Sequence, residues 1–296
     1  MDQALGLKDL VSFPPQLNAS LDYDLPTRPR VIAVTSGKGG VGKSNIVANL
    51  GITLSRLGKK VLIIDADLGL ANIDILLGLT PTFNIRDVFS GEKTLGEVII
   101  EGPAGLKILP SSSGIQEMAE LSEEQKVFLL NELDNYTENF DVVLIDTGAG
   151  ISSNVLYFNI AAQERIVVAN NEPTSITDAY ALIKVLATKY SERRFNLLIN
   201  ELTSRQEAEF VYRNLTKVAD RFLGGQVSID YLGCIPRDEA VCRAVLKQRA
   251  VVDIFPQAQA SQGFREVAQK LLEMEPAQVL DGNIKFFWRQ LVQLKV

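Results

Sequence analysis

Short apolar runs and amphipathic stretches alternate along most of the chain. From Val31 onward the runs VIAVT (31–35), VLIID (61–65), LKILP (106–110), VVLID (142–146), RIVVAN (165–170), FNLLIN (195–200) and a stretch ending in LGCIP at 236 are short and rich in β-branched residues. Most lack strict apolar–polar alternation, which is the pattern of strands buried on both faces of a parallel sheet. Between them, residues 44–57, 123–135, 174–190, 204–222 and 262–273 place apolar positions at helical spacing. The βαβα order predicts an α/β fold: a doubly wound, mostly parallel sheet flanked by helices, with ligands at the carboxyl ends of the strands.

The two ends of the chain depart from this rhythm. Residues 1–11 carry helix-spaced Ala4, Leu7 and Leu10 or Val11 in a segment too short to be stable alone. Residues 12–29 hold Pro14, Pro15, Pro26 and Pro29 among polar residues and read as an extended tether. The apolar–helical alternation then occupies 30–276, and a final segment follows over 277–296. In that segment Ile284, Phe287, Trp288, Leu291 and Val292 fall on one helical face, with Lys285, Arg289 and Gln293 beside or opposite it. Such a helix has the pattern of a membrane-surface anchor, marginal alone and stronger when two are joined in a dimer. A terminal helix docked on its own domain has the same pattern.

Composition narrows the chemistry. The chain has 296 residues, of which 46% are apolar and 22% charged, with two cysteines and no histidine. The missing histidine removes the Ser-His-Asp arrangement and every His-containing zinc or iron site. Cys234 and Cys242, eight apart with no CxxC, make neither a disulfide framework nor a paired-cysteine cluster, so a reduced cytosolic setting is expected. A net charge of −6 argues against coating nucleic acid by bulk electrostatics. No apolar run approaches the ~18 residues of a membrane-spanning helix, and MDQALGLKDLV, with no cationic flank ahead of an apolar stretch and no cleavage site, is not expected to act as a secretory signal.

Directly after the first apolar run stands Gly37-Lys38-Gly39-Gly40-Val41-Gly42-Lys43-Ser44. It fits G-x-x-x-x-G-K-[ST] and lies between an expected strand and helix, where the pattern has physical meaning. Glycines let backbone N–H groups turn toward a polyphosphate, Lys43 reaches the β- and γ-phosphates, the Ser44 hydroxyl holds Mg²⁺, and the helix N-terminus following adds its dipole. Two more strand ends carry acids: Asp65-Ala66-Asp67 and Asp146-Thr147-Gly148. Carboxylates there point at the phosphates and can order water or Mg²⁺. None of the P-loop lysines, Asp67 and Asp146 is expected to titrate near neutrality.

Lys38 narrows the reading further. With it the loop reads K-G-G-x-G-K-[ST] and resembles the deviant Walker A motif of the MinD/ParA family. The resemblance implies an ATPase in which two protomers sandwich ATP and Lys38 reaches the partner's phosphates. It also implies that Asp67 positions the attacking water, that Asp146 lies near Mg²⁺, directly or through water, and that Asp65 is a helper. Asn45 follows the loop as a further nucleotide contact. Asn200 and the P-x-D of Pro236 and Asp238 match the adenine contacts of the family, although each residue type also caps helices.

The N-terminal Asp2-Gln3-Ala4-Leu5-Gly6-Leu7-Lys8 resembles the D-Q-A-x-x-L-R element of the flagellar FlhG branch of that family. Asp2, Gln3, Ala4, Leu7 and Lys8 would then stimulate an FlhF-type signal-recognition GTPase, with Lys8 replacing an arginine whose planar fork it cannot reproduce. The resemblance further implies ATP and ADP with Mg²⁺ as cofactors, and a cytoplasmic ATPase peripheral to the inner face of the cytoplasmic membrane. It implies flagellar switch-complex proteins and a FleQ/FlrA-type transcription activator as partners, and no direct nucleic-acid binding. A ParA/MinD-type partitioning or division-site ATPase with a different cargo is the alternative.

Overall fold

The computed structural model describes residues 29–68, 72–111, 121–136 and 140–276. The N-terminal element, almost all of the tether and the C-terminal segment lie outside the described residues. Eight strands form one sheet: β1 (Arg30–Ser36), β2 (Val61–Ala66), β3 (Ile100–Glu101), β4 (Lys107–Leu109), β5 (Val142–Ala149), β6 (Glu164–Ala169), β7 (Arg194–Leu202) and β8 (Ser228–Pro236). Their order is β3-β4-β2-β5-β1-β6-β7-β8, and every pair is parallel except β3–β4. The expected doubly wound, mostly parallel sheet is therefore present.

The long helices are α1 (Lys43–Arg56), α5 (Glu123–Asn135), α7 (Pro173–Tyr190), α8 (Arg205–Leu223) and α11 (Gln259–Glu273). Shorter ones are α2 (Ile73–Leu76), α3 (Ile85–Phe89), α4 (Leu95–Val98), α6 (Ser153–Ala161), α9 (Glu239–Val245) and α10 (Val251–Ile254). Successive residues of β1 serve opposite faces. Ile32 and Val34 pack with α1, α10 and α11, whereas Val31 and Ala33 pack with α5 and α6. A third cluster joins α7 and α8 to Val167, Leu197 and Ile199. Burial on both faces explains why the strands read as continuous apolar runs. The chain crosses to either side of β1, and that reversal places a crevice at the carboxyl ends of the central strands.

Local chemistry fixes the ends of these elements. Ser122 and Gln125 form a capping box on α5, and Ser204 caps α8, which ends at Gly224 with φ of 63°. Two buried ion pairs tie down the amino end of the sheet. Arg30 holds Glu164 through both guanidinium donors at 2.6 and 2.8 Å, and Arg165 pairs with Glu192. Both are satisfied on several sides, the condition under which a buried charge is tolerated.

Candidate functional site

The loop from Gly37 to Ser44 joins β1 to α1 at the crevice. Gly42 is the N-cap of α1 with φ of 84°, and a Cβ there would lie 2.3 Å from Nδ2 of Asn200. Glycine is required on both counts. At Gly37 a Cβ would fall 2.1 Å from the Asp178 carbonyl, so the loop also abuts α7. Gly39, Gly40 and Val41 complete the turn, with φ of 79° at Gly40. The Ser36 hydroxyl donates to the Lys38 carbonyl at 2.9 Å, and the Gly150 amide donates to the Ser36 carbonyl at 2.9 Å. The phosphate loop and the loop after β5 are thus hydrogen-bonded to the same strand end.

Lys43 is buried and its Nζ lies 3.0 Å from Oδ1 of Asp146, which is fully buried. The other oxygen, Oδ2 of Asp146, has no hydrogen-bond partner. An orphaned buried carboxylate oxygen beside a lysine suits an ordered water or a hard cation. Ser44, half-buried on the first turn of α1, supplies the hydroxyl such a cation takes in P-loop proteins. The residues present therefore fit Mg²⁺.

Asp65 follows a different course from a capping acid. Its Oδ1 accepts from the Asp67 amide at 3.2 Å, and its Oδ2 accepts from the Asn72 and Ile73 amides at 3.1 and 3.2 Å. It holds both ends of the loop after β2. Burial, followed by the charge of Asp146 on the neighbouring strand, pushes its carboxyl up to about 8 against the pull of those three amides. Asp67 is also raised, first by burial and then by Asp146, with Lys43 opposing. Asp146 meets the buried lysine directly and Asp67 feels its charge, whereas Asp65 is held by backbone amides.

Lys38 is held within its own chain. Its ammonium donates to Oε2 of Glu172, and to Oγ1 of Thr174 at 3.0 Å. Glu172 stands at the N-cap of α7 and also accepts from Nδ2 of Asn170 at 3.1 Å. Lys38 holds the Glu172 carboxyl below its ordinary value. Neither Glu172 nor Thr174 was singled out from the sequence, yet Asn170 to Pro173 is another strand end with an acid, the same signal that flagged Asp65 and Asp146.

The base-binding candidates meet beside the loop. Gly42, Asn45, Asn200, Pro236 and Asp238 line one cavity of about 180 Å³. Asn200 donates Nδ2 to the Val41 carbonyl at 2.8 Å, so the end of β7 braces the phosphate loop. Asp238 is engaged as a cap: Oδ1 accepts from Ala240 at 2.8 Å and Oδ2 from Ala260 at 3.1 Å, joining α9 to α11. The sequence reading of Asp238 as a base contact met a helix-capping alternative, and capping is the interaction these atoms make. The membrane candidates at 284–292 and the partner-activating candidates at 2–8 lie outside the described residues. Among the described residues no helix is long and apolar enough to cross a membrane. Cys234 and Cys242 are both free thiols.

Comparison with known proteins places this geometry. A family model described as "AAA domain" matches residues 29–199. Antiactivator FleN of Pseudomonas aeruginosa is 48% identical over 264 residues, spanning 89% of this chain and 94% of that protein. The flagellum site-determining protein YlxH of Helicobacter pylori is 32% identical over 296 residues, 99% of this chain and 97% of that one. Among solved structures, the MinC:MinD cell division protein complex of Aquifex aeolicus superposes with a TM-score of 0.66 at 30% identity, covering 83% of this chain and 96% of that one.

Proposed function

The chain belongs to the FleN/FlhG (YlxH) group of MinD/ParA-type P-loop ATPases, and on that premise we propose that it is a nucleotide-driven switch regulating the number and placement of flagella. It hydrolyses ATP to ADP and phosphate and uses Mg²⁺. The observation that carries the reading is the buried Lys43–Asp146 pair under a glycine-rich loop, with one carboxylate oxygen unclaimed. Similarity to an antiactivator and to a flagellum site-determining protein over nearly the whole chain supplies the biological class.

In this reading Gly37 to Gly42 present backbone N–H groups to the triphosphate, and Lys43 leaves Asp146 for the β- and γ-phosphates. Ser44 and Asp146 would hold Mg²⁺, Asp146 directly or through water, and the ion would supply charge neutralisation for the phosphate oxygens. Asp67 orients the attacking water, and Asp65 fixes the loop that carries Asp67. Asn45, Asn200, Pro236 and Asp238 shape the cavity for the base. Lys38 exchanges Glu172 for the phosphates of a second protomer, which makes the dimer dependent on ATP. Dimerisation brings together two C-terminal segments, whose Ile284, Phe287, Trp288, Leu291 and Val292 enter the interface of the cytoplasmic membrane. Residues 2–8 engage an FlhF-type GTPase, and flagellar switch-complex proteins and a FleQ/FlrA-type activator are further partners.

The test compares ADP with a non-hydrolysable ATP analogue by light scattering and liposome sedimentation. The wild-type chain dimerises and sediments only with the ATP analogue. Lys38→Ala stays monomeric while retaining nucleotide, and deletion of 283–296 dimerises without sedimenting. A Lys38→Ala chain that still dimerises removes the sandwich, and persistent sedimentation of the deletion removes the anchor. Loss of residues 2–8 abolishes stimulation of the GTPase; unchanged stimulation removes that role.

A further inference from the structure

A cluster of basic residues lies at the opposite end of the sheet from the nucleotide crevice. Helices α7 and α8 run back from the carboxyl ends of β6 and β7, so their last turns meet at the amino end. There Phe222 is 63% exposed, its ring 6.2 Å from that of Tyr180 and 5.4 Å from the Arg221 guanidinium. Lys184 lies one helical turn beyond Tyr180, Lys217 one turn before Arg221, and Lys189 in the last turn of α7; all three are exposed. Among the described residues none of these lysines has a carboxylate within ion-pair distance. Arg193 and Arg194 extend the same corner. Arg193 donates to Oε1 of Gln226 just after α8, and Arg194 is 63% exposed with Asp230 4.0 Å away.

Six cations thus stand among three acids, exposed Asp220 and Glu275 and half-buried Asp230, in a chain whose net charge is −6. The one other acid of the 184–194 stretch, Glu192, is buried against Arg165. Where the chain leaves α11 gives this corner its meaning. Met274 and Glu275 line a small cavity with Arg194 and Asn196, so the last described residues of the chain lie beside the basic corner.

We propose that this corner is a second membrane contact, seating the folded domain on anionic phospholipid headgroups beside the C-terminal anchor. The proposal rests on the membrane reading of residues 284–292 for its geometry. A projecting aromatic beside Arg221, with three unpaired lysines on the same two helices, suits a bilayer surface, where the ring reaches the interface and each nearby cation gains from the negative leaflet. The corner also fixes which way the domain faces, since a tail alone leaves it free to tumble.

The test substitutes Lys184→Gln, Lys189→Gln and Lys217→Gln together, none of which lies in the nucleotide site. Far-UV circular dichroism and basal phosphate release remain as in wild type. With a non-hydrolysable ATP analogue, binding is compared on vesicles of phosphatidylcholine alone and with one-third phosphatidylglycerol. At about fivefold per cation, the triple variant weakens on the order of a hundredfold on the anionic vesicles and matches wild type on the neutral ones. Binding within twofold of wild type on anionic vesicles overturns the proposal, as does a variant that loses duplex DNA but keeps the vesicles. Repeating the comparison after deletion of 283–296 separates the two readings. If the shortened chain still binds and the lysine variant then loses it, the tail reading fails and the corner stands. If neither vesicle binds the wild-type chain, both fail.

Discussion

Replacing Asp146 with asparagine tests the electrostatics of the site most directly. The substitution conserves shape but leaves buried Lys43 facing a neutral amide in place of a carboxylate 3.0 Å away. Removing one partner of a buried pair costs about 3–5 kcal/mol. The amide oxygen still accepts from the ammonium and returns about 1 kcal/mol, and the repulsion between Asp146 and Asp65 also disappears. A net loss of about 2–3 kcal/mol remains, equivalent to roughly 5–10 °C in Tm for a chain of this size. Nucleotide binding should move the other way. Wild-type Lys43 must leave Asp146 before it reaches a phosphate, and in Asp146→Asn it need not. ADP without Mg²⁺ should therefore bind up to about tenfold tighter, a gain of 1.4 kcal/mol, while the further tightening by Mg²⁺ and the hydrolysis of ATP are lost. Thermal unfolding of the nucleotide-free chain and fluorescent-ADP titrations with and without Mg²⁺ read both effects. A variant that unfolds within 1 °C of wild type and keeps its Mg²⁺ increment would falsify this account of the pair.

Three further outcomes follow from the same geometry. Gly42→Ala forces a Cβ against Asn200 at a φ of 84°, costs about 1–2 kcal/mol in backbone strain and lowers nucleotide affinity at least tenfold by calorimetry; Gly39→Ala, with nothing within 4 Å, is the control, and equal affinities for the two would refute the argument. Asp67→Ala slows phosphate release about a hundredfold or more while raising the Tm of the nucleotide-free chain, because a carboxylate disfavoured by burial is gone. Asp65 makes the nucleotide-free chain pH-dependent: its carboxyl, raised to about 8 in the fold, keeps a proton that the unfolded chain releases near pH 4, so its stabilising contribution is full below pH 4 and lost as pH rises through 8. Urea midpoints should fall between pH 6 and 9 and fall less in Asp65→Asn, and parallel curves would exclude Asp65 as the source.

The parts of the molecule that could be read in advance are those whose physics is local. The strand runs are legible because burial on both faces demands unbroken apolar sequence. The phosphate loop is legible because Gly42 and its neighbours, Lys43 and Ser44 are contiguous. Helix α6, SNVLYFNIA, escaped notice because it is short and apolar around most of its circumference, so it has no amphipathic period to detect. Helices α2, α3, α4, α9 and α10 have four to seven residues each, less than two helical turns, and are set by caps such as Asn84 and Asp238 instead of periodicity. The partners of Lys38 lie 134 and 136 positions away, a separation no spacing rule spans. The titration of Asp65 likewise depends on β2 and β5 being neighbours, with Asp65 paired in register to Asp146, a fact of sheet order that strand sequences do not contain.

That register also explains why a chain without histidine can run this chemistry. Adjacent parallel strands bring Asp65 and Asp146 side by side, and Asp67 sits two residues on. Against this cluster of carboxyl groups the nucleotide-free chain sets Lys43, and it holds the second loop lysine, Lys38, on Glu172. Each of the two lysines is therefore satisfied in cis before any phosphate arrives, while one oxygen of Asp146 is left over. A triphosphate alone would add negative charge to a crowded set of carboxylates and would have to strip Lys43 from Asp146. Asp146 and Ser44 would hold Mg²⁺ there, and the ion would supply the positive charge that Asp146 gives up with its lysine. The glycine loop is thus shaped for phosphate in advance, whereas in the proposed switch its cations would change partners on binding. In that switch, Lys43 would make its exchange within one chain and Lys38 with a second protomer. The first exchange would report nucleotide, and the second would require the γ-phosphate and a partner together. On that reading ADP would bind without assembling a dimer.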